Sequence, residues 1–266
     1  MAIELKGRAI AITGAGTGIG LATAMACAKA GMSVALAGRR LGKLQEAAQK
    51  IKSQGGRAIA LQVDVTDPAQ CERLINDTVS SFGSIYAVYA NAGYGYEKQF
   101  HETPQADIRA IFETNFWGSL NVIRPALGFM LRARSGHILM CSSCLSKIGI
   151  PYMCAYSATK AAQDHFGRGI RAELRGTGVH VSTVHPVKTT SEFFEQVERA
   201  SGGSRVYRRN SDMFVQSAET VAAATLRCLR RPRGEVWTST RMRLMLALAT
   251  AFPGLADMAV ARYGKK

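Results

Sequence analysis

Acidic side chains are scarce in this 266-residue chain: 19 Asp and Glu stand against 34 Lys and Arg, a formal charge of +15. Cysteine is sparse as well, and Cys27, Cys71, Cys141, Cys144, Cys154 and Cys228 are scattered through apolar or strand-like stretches, which excludes a scaffold built on disulfides. The N-terminus, MAIELKGRAIAIT, turns directly into a strand pattern without the apolar core of a signal peptide. Reduced thiols and a cytoplasmic location are expected. The apolar run from Leu244 to Phe252 is nine residues long, is broken by Thr250 and ends at Pro253-Gly254; a bilayer span needs roughly 20. No repeat and no Pro/Gly/Ser-rich linker divides the chain. At 47% hydrophobic and 20% charged residues, the composition excludes disordered, collagen-like and coiled-coil classes, and the length fits one large α/β domain.

The charge is uneven, with 13 basic and 4 acidic side chains in residues 199–266. Such a patch attracts nucleic acid, an anionic membrane surface or acidic ligands, or is a solvated arginine-rich face. No nucleic-acid partner is expected.

Aliphatic or β-branched runs begin with Ala9 to Thr13 and continue with Ser33 to Ala37, Ala58 to Val63, Ile85 to Ala90, His137 to Cys141, Val179 to Val184 and Val236 to Ser239. Helical periodicity fills the intervals, over Ile19 to Ala30, Leu41 to Ser53, Pro68 to Phe82, Ile108 to Arg132, Ala155 to Arg175 and Ala218 to Leu229. The alternation predicts a single-domain α/β fold, a Rossmann-like doubly wound parallel sheet with helices on both faces. It covers residues 1–240. Two stretches fall outside the pattern: an irregular segment at 187–216 with a Gly202-Gly203 break, read as a lid or mobile loop, and the basic, apolar tail at 241–266.

The first strand ends in Thr13-Gly14-Ala15-Gly16-Thr17-Gly18-Ile19-Gly20. Glycines here let the backbone turn tightly and approach a pyrophosphate, which rests on the N-terminus of the following helix. At the end of the second strand, where a dinucleotide site usually carries an acidic residue for the ribose, the chain reads Gly38-Arg39-Arg40. Guanidinium groups pair with a 2′-phosphate, so NADP(H) is expected over NAD. Asp64-Val65 closes the third strand; Asp64 either accepts from an adenine amino group or belongs to a helix cap with Thr66 and Asp67.

Tyr156 and Lys160 lie four apart on one helix face, and a nearby ammonium lowers a phenol toward the range of a general acid or base. The pair follows a strand whose C-terminal end carries Ser142-Ser143. With Thr13-Gly14-x-x-x-Gly18-Ile19-Gly20, Asp64-Val65, Asn91-Ala92-Gly93, Asn115, Ser143 and Tyr156-Ser157-Ala158-Thr159-Lys160 in this order, the sequence resembles the short-chain dehydrogenase/reductase family over residues 6 to about 239. The resemblance implies roles: Tyr156 as proton donor to a substrate carbonyl, Lys160 as its tuner and a holder of the nicotinamide ribose, and Ser143 as a hydrogen-bond donor to the substrate oxygen. Asn115 would hold a water linking Lys160 to solvent, while Asn91, Ala92 and Gly93 would support the fourth strand against the cofactor. It implies a homodimer or homotetramer built on the helices containing Asn115 and Tyr156.

The chain departs from the family at Pro186-Val187, where a glycine usually follows the proline, so Val187 takes a position expected near the nicotinamide carboxamide and Thr189 or Ser191 supplies a hydroxyl. Cys141 and Cys144 form a C-x-x-C spacing without the context of a redox or metal site, and no metal is expected. Phe193, Phe194, Ile148, Ile150, Met153, Tyr94 and Tyr96 fit either an apolar cleft for a bulky hydrophobic carbonyl or alcohol, or packing within their own loops. A protein of another class, a catalytically idle cofactor sensor engaging a partner through its basic C-terminal region, need not keep Tyr156, Lys160, Ser143 and Asn115 together. The tail joins Arg241 and Arg243 to an apolar stretch; it covers the cleft, meets a second subunit, or rests on an anionic membrane.

Overall fold

The structure, a computed structural model, describes residues 2–201 and 215–263. The Gly202-Gly203 break and most of the second half of the 187–216 segment lie outside the described residues. The elements follow as β1 (Ala9–Thr13), α1 (Gly18–Lys29), β2 (Ser33–Gly38), α2 (Leu41–Ser53), β3 (Arg57–Gln62), α3 (Pro68–Phe82), β4 (Ala87–Ala90), α4 (Gln105–Phe112), α5 (Gly118–Ala133), β5 (Gly136–Cys141), α6 (Cys154–Glu173) and β6 (Val179–His185). They continue with β7 (Thr189–Thr190), α7 (Phe193–Ala200), β8 (Gln216–Ser217), α8 (Ala218–Arg230), β9 (Glu235–Trp237), α9 (Thr240–Ala251) and α10 (Pro253–Tyr263).

Seven strands form one parallel sheet in the order β3-β2-β1-β4-β5-β6-β9. Period-two alternation sorts their side chains between two cores. Ile10, Ile12, Val34 and Leu36 pack with buried residues of α1, α2 and α8, while Ala11, Ala35, Ala37, Val88 and Ile138 pack with those of α3 and α5 and with partly buried Ile170 of α6. Each fully buried Ile or Leu side chain contributes about 1.5–3 kcal/mol of apolar transfer free energy. The winding direction reverses between β1 and β4, and the crevice outside the C-terminal strand ends at that reversal is where such sheets bind ligands.

Local chemistry sets the boundaries. Asp67 caps α3, accepting from the backbone N–H of Ala69 at 2.9 Å and of Gln70 at 3.2 Å, with Pro68 at the first helical position. Of the two acids considered for that cap, Asp67 is the one that makes it. The helix expected over residues 108–132 is instead α4 and α5 joined by a π-helical turn at Glu113–Trp117. One extra residue in a turn leaves the apolar pattern readable as continuous, so periodicity does not reveal it; such turns cluster at functional sites. The 187–216 segment is not wholly irregular, for it contains α7 and pairs β7 with β8.

In the tail, Leu246 of α9 is buried and Met242 packs beside it in a cluster that includes Tyr156, Val187 and Phe193. Helix α10 bends away from α9 by 113°. No single helix among the described residues is long and apolar enough to cross a membrane.

Candidate active site

The glycine turn leaves β1 at the sheet's reversal point. Gly14 has φ +65°, which favours glycine, and a Cβ on Gly20 would sit 2.3 Å from the Gly14 carbonyl oxygen. The turn is braced from β4: Asn91 and Ala92 donate their backbone N–H groups to Thr13 Oγ1 at 3.0 and 3.1 Å, and Asn91 Nδ2 donates to the Thr13 carbonyl at 2.9 Å. Asn91 and Ala92 therefore stand against the turn with Thr13 between them, while Gly93 faces Asn115 and Lys160.

From this turn a cleft of about 950 Å³ runs along the strand ends. One end is lined by Gly14, Gly16, Thr17, Gly18, Ile19, Arg39, Arg40, Asp64 and Val65, the other by Ser143, Tyr156, Lys160, Pro186, Val187 and Thr189. Gly20 and Asn115 stand behind it as supports. Arg39 makes no ion pair among the described residues, whereas Arg40 bonds Glu192 at 2.8 Å and Thr17 Oγ1 at 3.3 Å. Asp64 accepts from the backbone and hydroxyl of Thr66 at 3.0 and 2.8 Å, and so shapes the end of β3 while lining the cleft.

At the far end α6 presents Tyr156 and Lys160 on one face, both buried. The Lys160 ammonium donates to the Cys141 carbonyl at 2.7 Å and to Gln163 Oε1 at 3.0 Å, and lies 5.6 Å from the centre of the Tyr156 ring. Burial lowers Lys160 to about 8, with the Cys141 thiol opposing. Burial raises the Tyr156 phenol above its ordinary value, the Cys141 and Cys144 thiols add to the rise, and a hydrogen bond with Ser143 opposes it. The lowering of the phenol expected from Lys160 is not seen: desolvation dominates, and the group that opposes it is Ser143. Ser143 Oγ accepts from the Leu145 N–H at 3.1 Å, which leaves its own O–H to donate.

Asn115 sits in the π-helical turn, wholly buried. Its Oδ1 accepts from the Tyr94 N–H at 2.9 Å, and its Nδ2 donates to the Tyr94 carbonyl at 2.9 Å and to Thr159 Oγ1 at 3.1 Å. The side chain fastens the segment that leaves β4 to α6.

After β6, Val187 is buried beside Tyr156, and Pro186 accepts the Cys144 N–H at 3.0 Å. Among the described residues only Arg134 and Tyr152 combine a side chain with positive φ, so Val187 needs none of a glycine's freedom. Thr189 donates its hydroxyl to the Val187 carbonyl at 2.8 Å. Phe193 lies 5.6 Å from Tyr156 ring to ring, and it lines the cleft with Tyr94, Leu145 and Met153. Ile148, Ile150 and Tyr96 belong to the same apolar cluster without lining the cleft; the side chain of Phe194 lies outside the described residues. All six cysteines are free. Burial pushes the Cys144 thiol up to about 11 and raises Cys141 as well, the reverse of a reactive pair.

Behind Ser143 lies a buried polar cluster. His185 Nδ1 is 3.1 Å from the Ser143 carbonyl, its Nε2 is 3.4 Å from Asp164, and its ring stacks on Trp237 at 4.5 Å. Asp164, His185 and Glu235 bring potential ligand atoms within 4.8 Å of one another, but the Lys147 ammonium already bonds both carboxylates and supplies the positive charge. Gln163, Glu192 and His185 escape sequence reasoning because no spacing marks them; Thr13 is legible only as the residue that opens the glycine motif, not as the acceptor that braces it.

Comparison with known proteins agrees with this geometry. The family model for short chain dehydrogenase matches residues 8–202. An 11-beta-hydroxysteroid dehydrogenase 1A of Arabidopsis thaliana is 35% identical over 191 residues, 71% of this chain and 54% of that protein; the chain spans about half the length of this relative. A short chain dehydrogenase/reductase from Burkholderia phymatum, solved with NAD, superposes with a TM-score of 0.87 at 24% identity, covering 96% of each chain. An alcohol dehydrogenase from Thermococcus sibiricus, solved with 5-hydroxy-NADP, gives 0.75 at 26% identity, over 86% of this chain and 95% of that one. The chain belongs to the short-chain dehydrogenase family, a family of oxidoreductases that use nicotinamide cofactors.

Proposed function

We propose that the protein is an NADP(H)-dependent oxidoreductase that moves a hydride between the nicotinamide and a carbonyl or alcohol on a bulky hydrophobic molecule. The observation that carries this reading is one continuous cleft with the glycine turn at one end and Ser143, Tyr156 and Lys160 at the other. The turn fits a dinucleotide because Gly14, Gly16 and Gly18 line the cleft without side chains, while Gly20 lets the start of α1 pack directly on the Gly14 carbonyl. Gly14, Gly16, Thr17, Gly18, Ile19 and Gly20 would hold the pyrophosphate, Asp64 and Val65 the adenine side, and Arg39 with Arg40 a 2′-phosphate. Asn91, Ala92, Gly93, Lys160, Pro186, Val187 and Thr189 would surround the ribose and nicotinamide.

When bound, the cofactor supplies the hydride. Tyr156, which keeps its proton at neutral pH, donates it to the developing alkoxide, and Ser143 donates a hydrogen bond to the same oxygen. Lys160 adds positive charge beside them and Asn115 fixes the backbone that faces Lys160. The apolar walls from Tyr94, Leu145, Met153, Val187 and Phe193 favour a hydrophobic substrate, in line with the hydroxysteroid dehydrogenase name of the plant relative.

The free thiols fit a cytoplasmic protein. Exposed Trp117 beside α5, with Leu131 on α5 and Phe166 on α6, favours a homodimer or homotetramer through those helices. Exposed apolar residues on α9 and α10 favour a peripheral contact with an anionic membrane.

The test is a panel of hydrophobic ketones and aldehydes scored by NADPH oxidation, followed by Tyr156→Phe on any active substrate. Turnover should fall by about a hundredfold or more while NADPH affinity stays within about twofold, since Tyr156→Phe removes one hydroxyl. Wild-type turnover in Tyr156→Phe would overturn the reading.

A further inference from the structure

Gln163 lies one turn beyond Lys160 on α6 and is 1% exposed. Its Oε1 accepts from Lys160 Nζ at 3.0 Å, and its Nε2 donates to the Asn115 carbonyl at 2.8 Å and to Ser119 Oγ at 2.7 Å. Ser119 Oγ donates to the same carbonyl at 2.8 Å. These bonds fix which way the amide points, because only its oxygen can accept from an ammonium. They also occupy both lone pairs of the Asn115 carbonyl with side-chain donors. Where a linking water is expected at Asn115, the Gln163 amide makes a fixed bridge between the π-helical turn and the ammonium.

The ammonium has three N–H groups. The Cys141 carbonyl and Gln163 take two, leaving the third for the cleft that Lys160 lines. A buried charge persists only where such acceptors compensate for lost water. Resting on the function proposed above, we propose that Gln163 is a positioning residue of the reaction, whose amide keeps Lys160 charged and held beside Tyr156 by tying it to the Asn115 carbonyl. A primary amide does not pass protons along as a water does, so this bridge fixes the charge and leaves proton return to the cleft side.

The titratable groups around the ammonium are the Cys141 thiol of β5, the Tyr156 phenol of its own helix and Glu113 of the π-helical turn, which lines the same cleft. From the turn after β5, Lys147 is engaged with Asp164 and Glu235, and His185 of β6 faces Asp164. Cys144 completes the set beside Tyr156.

The test compares Gln163→Met, which keeps the volume but removes the strong acceptor, with Gln163→Ala, which opens space for water against two polar partners. In Gln163→Met the alkaline limb of kcat/KM should move down by at least half a pH unit; in Gln163→Ala it should stay closer to wild type. A second readout needs no substrate. The Tm deficit of Gln163→Met relative to wild type should be largest near pH 7, where Lys160 is charged, and should shrink by pH 10. If Gln163→Met fails to fold, Gln163→Asn, which retracts the amide by one methylene, should show the same two displacements. An unmoved alkaline limb together with a Tm deficit constant across pH would reduce Gln163 to packing and overturn the proposal. If no carbonyl is reduced by the wild type, the proposed function fails while the Tm comparison still decides the role of Gln163.

Discussion

Arg40 and Glu192, 152 residues apart, meet at 2.8 Å across the mouth of the glycine turn. The pair joins the end of β2 to the segment that leads into α7, and it holds the guanidinium expected to meet a 2′-phosphate. Both side chains are more than a third exposed, so the pair is worth at most about 1 kcal/mol. Glu192 also places negative charge near the proposed phosphate. Glu192→Gln should therefore raise NADPH affinity by up to about fivefold and leave NADH affinity nearly unchanged, as read by cofactor fluorescence titration. Arg39→Ala should act in the opposite direction, eroding the preference for NADPH. Equal effects of Glu192→Gln on both cofactors would show that Arg40 does not serve the phosphate.

The pH dependence of turnover follows from Lys160. Burial holds its ammonium at about 8, below the ordinary lysine value of 10.5. In the proposed mechanism the charged form is the active one, so kcat/KM should be level near neutrality and fall as pH rises through about 8. Linkage has a matching sign. Because the folded value is depressed, folding favours the neutral lysine, and the penalty for burying the charge, present in full below about 8, disappears as pH rises toward 10.5. Lys160→Met should therefore lose turnover yet be relatively most stable below pH 8. A profile flat to pH 10 would remove Lys160 from the proton chemistry.

Strand and helix order, the two-faced core and the main cleft residues are legible in the sequence because each rests on a local pattern: period-two alternation, helical spacing, a glycine turn, Tyr156 and Lys160 four apart. The boundaries of α2 and α3 match the expected ones at both ends. The π-helical turn is hidden because one added residue does not disturb an apolar stripe. Gln163, Glu192 and His185 act through residues distant in sequence, and no local spacing reports such a contact. The tyrosine shift is hidden for a different reason, since spacing shows the nearby lysine but gives no measure of desolvation.

The cluster behind Ser143 should set acid stability. Burial alone would raise the Asp164 and Glu235 carboxyls, but hydrogen bonds and charges from their neighbours, Lys147 among them, hold Asp164 well below its ordinary value and Glu235 at about 2. Groups with depressed values stabilise the fold above about pH 4.5, and that contribution is lost as pH falls toward 2. Lys147→Met should cost about 3 kcal/mol at pH 7, because buried Asp164 loses its nearest cation and keeps only Arg168 at 3.7 Å. The gap from wild type should close between pH 4.5 and 2 as the carboxylates protonate in both proteins. Thermal melts across that range decide it; a gap that does not change with pH would mean Lys147 contributes packing alone.

The tail separates its inner face from its outer one. Met242 and Leu246 of α9 pack into the cluster around Tyr156, so deleting the whole tail would disturb the cleft and leave the outer face untested. On the outer side, Leu244, Met245, Leu248 and Phe252, continued by Leu255 and Met258 on α10, are each between 49% and 63% exposed. Arg241 and Arg243 stand at the N-terminal end of the same helix. Apolar side chains flanked by arginine match the interfacial layer of an anionic bilayer, and binding of this kind weakens as salt rises. The triple variant Leu244→Ser, Leu248→Ser, Phe252→Ser leaves Met242 and Leu246 in place, so it should stay folded and keep wild-type NADPH affinity. Wild type should sediment with vesicles of phosphatidylglycerol and phosphatidylcholine, less so with phosphatidylcholine alone, and the variant with neither. If the face instead docks a second copy, wild type will not sediment with either vesicle, and the variant will elute as a smaller species in size-exclusion chromatography.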